Sequence, residues 1–187
     1  RRARFIAVAA KSPHHGGRFF PEAVIPMAVW QFELDPIPAR AALIEGVPAI
    51  HLGQEIRDTI VLGLSPDDRK QLIETFDDLL PSQQAWSPGL MVWGNTRGTD
   101  IQLYLDEDGT DALKVRIDAK TFTTELIDAL CVIALAFDWV FLTERGAVLQ
   151  PISETVLRAL LHSPARQYVE DPGRAIAEAA ERLREPG

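Results

Sequence analysis

TDIQLYLDEDGTDALKVRIDAKTFTTELIDALCVIALAFDWVFLT, residues 99–143, carries two hydrophobic periods in succession, and the change between them decides the fold class. Ile101, Leu103 and Leu105 alternate with Gln102, Tyr104 and Asp106, the two-residue period of a strand with one apolar face. Leu113, Val115 and Ile117 alternate in the same way with Lys114, Arg116 and Asp118. The EDGT between the two runs is rich in turn formers, so together they predict an antiparallel hairpin. From Thr121 the spacing lengthens. Phe122, Leu126, Ile127, Leu130, Ile133, Ala134 and Phe137 recur at three and four residues, predicting a helix over 121–137 with Thr121 as its N-cap. Cys131, Val132 and Leu135 make this helix apolar on more than one side, which predicts a well-covered rod lying across the sheet. Trp139 to Thr143 then reads as a short strand, with residues 147–150 returning beside it.

Upstream, Trp30, Phe32 and Leu34 alternate with Gln31 and Glu33 in a first strand that Pro36 and Pro38 terminate. Residues 39–44 have room for one or two helical turns, and IRDTIVLGL (56–64) fits strand and helix equally. Ser65-Pro66-Asp67-Asp68 is a helix start, with a capping serine, proline at the first helical position and acids in the first turn. The helix buries Leu72, Ile73, Phe76, Leu79 and Leu80 and stops at Pro81; residues 90–94, LMVWG, form another strand. Ser153 caps a helix carrying Val156, Leu157, Leu160 and Leu161, and Pro164 ends it. A tight link through Tyr168 and Val169 then leads to an alanine-rich terminal helix. These elements predict a single α+β domain: one mainly antiparallel sheet of about five strands, helices packed on one face, and a C-terminal helical extension. Residues 1–26 show no sustained period and read as a disordered arm or upstream segment, leaving residues 27–187 as the folded domain.

Composition narrows the function classes. Hydrophobic residues make up 47% and charged residues 25%, the balance of an ordinary globular protein. A single cysteine excludes an internal disulfide and fits a reducing, cytoplasmic compartment. The strongest apolar run, around residues 130–136, is far short of the roughly 20 residues of a membrane span. The basic start followed by FIAVAA offers six apolar residues where a signal peptide carries about 7 to 15. Of the net charge of −8, residues 1–26 hold +4, five basic groups against one acid, so the rest of the chain carries −12. Such a body repels phosphate backbones and attracts basic partners, which argues against nucleic acid.

Motif by motif, the chemistry-bearing residues read as structural. Asp106, Glu107, Asp108 and Asp111 suggest a calcium loop, but their spacing fails the twelve-residue pattern and a solvated hairpin tip accounts for them. His14 and His15 are adjacent and do not converge as i, i+4 pairs do; His51 and His162 lie far apart, so no metal site is expected. Cys131 sits inside the apolar helix as a small core residue. Residues 94–98 lack the lysine and hydroxyl of a phosphate loop, and no cofactor is expected. The outward row Lys114, Arg116 and Asp118, with Gln102 and Tyr104 beside it, is the main constellation. As a solvated or covered second face it carries cross-strand pairs; as an open face it is a protein interface bordered by Trp86 and Trp93, with Trp30 and Trp139 in the core.

Taken in order, Trp86-Ser87, Arg116-Ile117-Asp118-Ala119-Lys120, the covered helix, FLTERGAVLQP (141–151) and His162-Ser163-Pro164 give a resemblance across residues 86–172. The chain resembles small bacterial proteins, largely uncharacterised, some encoded near polymorphic toxins and read as immunity proteins; Lys120 stands where relatives carry arginine. The resemblance implies an immunity or inhibitor protein, and charge adds a physical motive, since an acidic body steers onto a cationic partner and competes with its anionic substrate. Two other readings stand beside this non-enzymatic one. One is an enzyme assembled from Arg116, Asp118, Tyr104 and His51; the other is a homo-oligomeric subunit joined through the tryptophan-bearing face.

Overall fold

The computed structural model describes residues 29–105 and 111–182. The arm of residues 1–26, its boundary at Met27, His14, His15, and the acidic tip residues Asp106, Glu107 and Asp108 lie outside them. Strand β1 (Gln31–Pro38) is followed by a 3₁₀ turn (Ala39–Ala42), the small hairpin β2 (Leu43–Ile44) and β3 (Val47–Pro48), and a single helical turn, α1 (Gln54–Arg57). Helix α2 (Pro66–Leu79) leads into β4 (Ser82–Gln83), β5 (Leu90–Gly94), β6 (Asp100–Tyr104) and β7 (Ala112–Asp118). After α3 (Thr124–Ala136) come β8 (Trp139–Thr143) and β9 (Val148–Leu149), then α4 (Ser153–Leu161), α5 (Pro164–Glu170) and α6 (Pro172–Arg182).

The main sheet runs β4-β5-β6-β7-β1-β8-β9, antiparallel at every pairing, so it has seven strands rather than about five. The edge strands β4 and β9 are two residues long, and two residues hold no period. Of the two prolines only Pro38 ends β1, which runs through Pro36 and lies near the middle of the sheet. The Ala39 amide donates to the Asp138 carbonyl, which fixes the alternation of main-chain groups: Ile37 and Asp35 turn theirs to β8, Phe32 and Leu34 to β7. Pro36 and Pro38 therefore point their ring nitrogens toward the β7 side, where pairing has already stopped at Leu34.

Helices fill one side. Phe32, Leu34, Trp93, Ile101, Leu103, Val115, Ile117, Trp139 and Phe141 meet Leu72 and Phe76 of α2, Ile127, Leu130 and Ala134 of α3, and Val156 and Leu160 of α4 in one core. The sequence argument for Leu103, Val115, Leu130 and Trp139 holds. Cys131 is also buried here, and burial pushes its thiol pKa up, the opposite of what a nucleophile needs. Four local expectations change. The α3 cap is Thr123, whose hydroxyl accepts from the Leu126 amide, while Thr121 donates to Asp118 instead. α4 starts without a side-chain cap, and the link read through Tyr168 and Val169 is helix α5, capped by Ser163. α3 is not covered all round: Val132 and Leu135 are 66% and 65% exposed, because only the stripe facing the sheet and α4 finds partners.

The other side of the sheet is divided. At the β8 end, Ile37, Val140 and Leu142 pack with Ala42 and Leu52 in a second small core, roofed by the excursion 39–62. At the β6–β7 end the same face is polar.

Candidate functional site

The polar face is a connected band rather than a row of free side chains. Arg116 holds Asp100 through two bonds, Nε to Oδ1 at 2.7 Å and Nη2 to Oδ2 at 2.5 Å, with side chains 5% and 0% exposed. Gln102 donates to Asp100 Oδ2 at 2.7 Å and accepts from the Tyr104 hydroxyl at 2.6 Å. Along β1 the band continues: Lys114 Nζ lies 3.1 Å from Glu33 Oε2 and 3.7 Å from Asp35 Oδ1. Strand alternation puts these side chains on one face, and register sets Gln102 beside Lys114, and Asp100 and Glu33 on either side of Arg116.

The electrostatics follow from this crowding. Burial raises the Asp35 carboxyl pKa and Glu33 adds to the rise, against the pull of Lys114 and Arg57. Lys114 loses hydration, yet the carboxylates of Asp35 and Glu33 outweigh that loss and hold its pKa above the ordinary lysine value. Burial also raises the Tyr104 phenol. A narrow groove of about 250 Å³ runs between this end of the band and α1, bringing Asp35, Tyr104 and Lys114 near Gln54, Arg57 and Asp58.

The residues expected at an interface thus separate into three places. Gln102, Tyr104, Lys114 and Arg116 share the band, with Gln102 and Arg116 closed inside it. Asp118 caps its own turn, accepting from the Lys120 amide and the Thr121 hydroxyl, and lines an open cavity of about 1100 Å³ that Trp86 also borders. Trp93 borders no surface: it is fully buried, its ring tilted against Phe76 with centroids 5.2 Å apart, and its Nε1–H donated to Asp77. Trp30, expected in the core, is exposed beside the 95–98 turn, where its Nε1–H reaches the Arg97 carbonyl. It precedes β1, so the alternation that buries Phe32 does not extend to it. The four polar residues of the enzyme reading do not converge. His51 lies across the sheet against the β8–β9 turn, donating Nε2–H to the Arg145 carbonyl at 2.8 Å.

What the sequence left unread is the excursion 39–62. Glu45 and Gly46, with φ of 52° and 81°, make the two-residue turn of the β2–β3 hairpin. The hairpin is fastened by Leu52 to Gly146 and by the Ala49 amide to the Ala42 carbonyl. On the hairpin Leu43, Ile44 and Val47 (65% exposed) face water, and farther along the excursion so do Ile50 (87%), Ile56 and Val61. Six large aliphatic residues are thus exposed within nineteen positions, on an excursion that also carries Glu45, Glu55 and Asp58 against Arg40 and Arg57. The signal was there as LI-EG-VP, apolar pairs around a turn, but two-residue strands carry no periodicity.

No family model, curated protein or solved structure matches this chain.

Proposed function

We propose that this protein is a non-enzymatic binding domain for a basic protein, an immunity-type inhibitor whose contact surface is the excursion 39–62. The observation that carries this reading is the exposure of Leu43, Ile44, Val47, Ile50, Ile56 and Val61 on an element already fastened to the sheet through Leu52. Large apolar side chains on this fastened excursion supply the desolvated centre of an interface, and Glu45, Glu55 and Asp58 against Arg40 and Arg57 leave its rim weakly negative. The net charge of −8 favours a cationic partner at long range, as a toxin acting on an anionic substrate would be. The resemblance across residues 86–172 points the same way. Closure of Arg116 and Gln102 inside their own network moves the proposed contact surface away from the β6–β7 face.

The test uses the wild type and a Val47→Asp/Ile50→Asp variant, both exposed enough to change without disturbing the core. Expected is a basic protein retained from native-host extract by the wild type at physiological salt, released as salt rises, whose activity the purified wild type inhibits. The variant should bind that purified partner at least about 30-fold more weakly, the loss of a central apolar contact. Equal binding by both proteins refutes this surface. A wild type that sediments as a dimer while the variant is a monomer, with no partner captured, assigns the patch to self-association instead.

A further inference from the structure

A cavity of about 770 Å³ lies on the helix side of the molecule, between the β8–β9 turn and helices α4 to α6. Its volume is that of a small-molecule site, and it stands apart from the 39–62 patch. Phe32, Leu149, Ala165 and Ile176 contribute apolar walls. The cavity exists because β1 and β8 part company: their ladder begins at Leu34 and Thr143, so the first residues of β1, paired with β7, have no strand on their β8 side where the chain turns at 144–147.

Arg145, Tyr168 and His162 are among the polar residues on its lining, the first two bringing donors and the His162 ring an acceptor nitrogen. Arg145 lies on the turn, which is fastened by the His51 bond to the Arg145 carbonyl and by the Leu52 amide to Gly146; its guanidinium makes no ion pair among the described residues. Tyr168, half-buried on α5, has a hydroxyl with no hydrogen-bond partner among the described residues. His162 donates Nδ1–H to the Arg158 carbonyl at 2.7 Å, since a carbonyl oxygen can only accept, and this leaves Nε2 for other partners. The acids along the lining do not neutralise Arg145, because Glu33 is held by Lys114 and Glu144 forms no ion pair with Arg145.

We infer that this cavity is a binding site for an amphiphilic carboxylate, an unbranched alkyl acid whose tail lies against Phe32, Leu149 and Ile176 and whose head meets Arg145 and Tyr168. A guanidinium recognises a carboxylate in a planar, paired geometry that an alcohol cannot supply. The apolar walls favour a chain that sheds its hydration on entry.

The experiment titrates the full chain with decanoate and with 1-decanol by calorimetry, both below their aggregation concentrations, and maps amide shifts with decanoate in the wild type. Expected is saturable one-to-one decanoate binding, with shifts concentrated in residues 143–149 and 159–176. Arg145→Gln should weaken decanoate at least tenfold and leave decanol within twofold. Ala175→Trp, a half-buried position on the lining, should abolish both; if that variant does not fold, the wild-type shift map decides the location. No saturable binding up to millimolar decanoate, shifts confined to another face, or equal loss of acid and alcohol in Arg145→Gln overturns the assignment.

Discussion

Removing one partner of the Arg116–Asp100 pair should destabilise the protein far more than removing both. Asp100 accepts three hydrogen bonds, two from Arg116 and one from Gln102, and neither member of the ion pair is more than 5% exposed. Asp100→Ala therefore leaves a guanidinium without its counter-charge in a site water barely reaches, at a cost of about 3 to 5 kcal/mol. For a chain of this length that is roughly 6 to 20 °C in Tm. Asp100→Asn is as informative, because its amide presents a donor to a donor and should cost nearly as much. The double replacement Asp100→Val/Arg116→Met removes both charges with little change in total volume. It should lie within about 2 kcal/mol of wild type, since desolvation of the two charges offsets most of their attraction. Urea unfolding at pH 7, read by linear extrapolation for the wild type, each single variant and the double, gives the coupling energy directly. If Asp100→Ala costs under about 1 kcal/mol, the pair is open to water and the face bearing Arg116 returns as a candidate interface.

Leu130→Ala should cost about 2 to 5 kcal/mol in the same assay, whereas Val132→Gln on the same helix should change stability by no more than about 0.5 kcal/mol. Equal effects at the two positions would mean that α3 is turned about its axis. Gly146→Ala should destabilise by about 2 kcal/mol or more, because φ is +83° and the new Cβ would lie 2.4 Å from the Leu52 carbonyl oxygen; an unchanged Tm would show that the 144–147 turn is not fastened as described. Asp35→Asn should raise Tm at pH 7. A carboxyl whose pKa is raised by folding binds its proton more readily in the native state, so its contribution declines as pH rises through the carboxylate range. The advantage of asparagine should shrink as pH is lowered and Asp35 takes up its proton, and a variant less stable than wild type at pH 7 contradicts this sign.

The β6–β7 hairpin, α3 and β8 were legible because each is long enough to show a period, and burial on one face is what creates a period. Leu103, Val115, Leu130 and Trp139 could be placed inside from spacing alone. The first strand was legible where polar and apolar residues alternate; farther along, proline is tolerated because its nitrogen faces the end of a ladder. α5 hid behind Pro164, which reads equally as the end of one helix and the first residue of the next. The candidate surfaces were mostly illegible. Alternation assigns Arg116 to the side away from the helices, but whether that side is open depends on Asp100, sixteen residues away, and on the folding of the 39–62 excursion. Local spacing, then, determined the periods and hence the α+β class. Only the tertiary structure decided which polar groups neutralise one another and which apolar ones are left to face water, because those outcomes depend on contacts between segments whose separation in the chain follows no local rule.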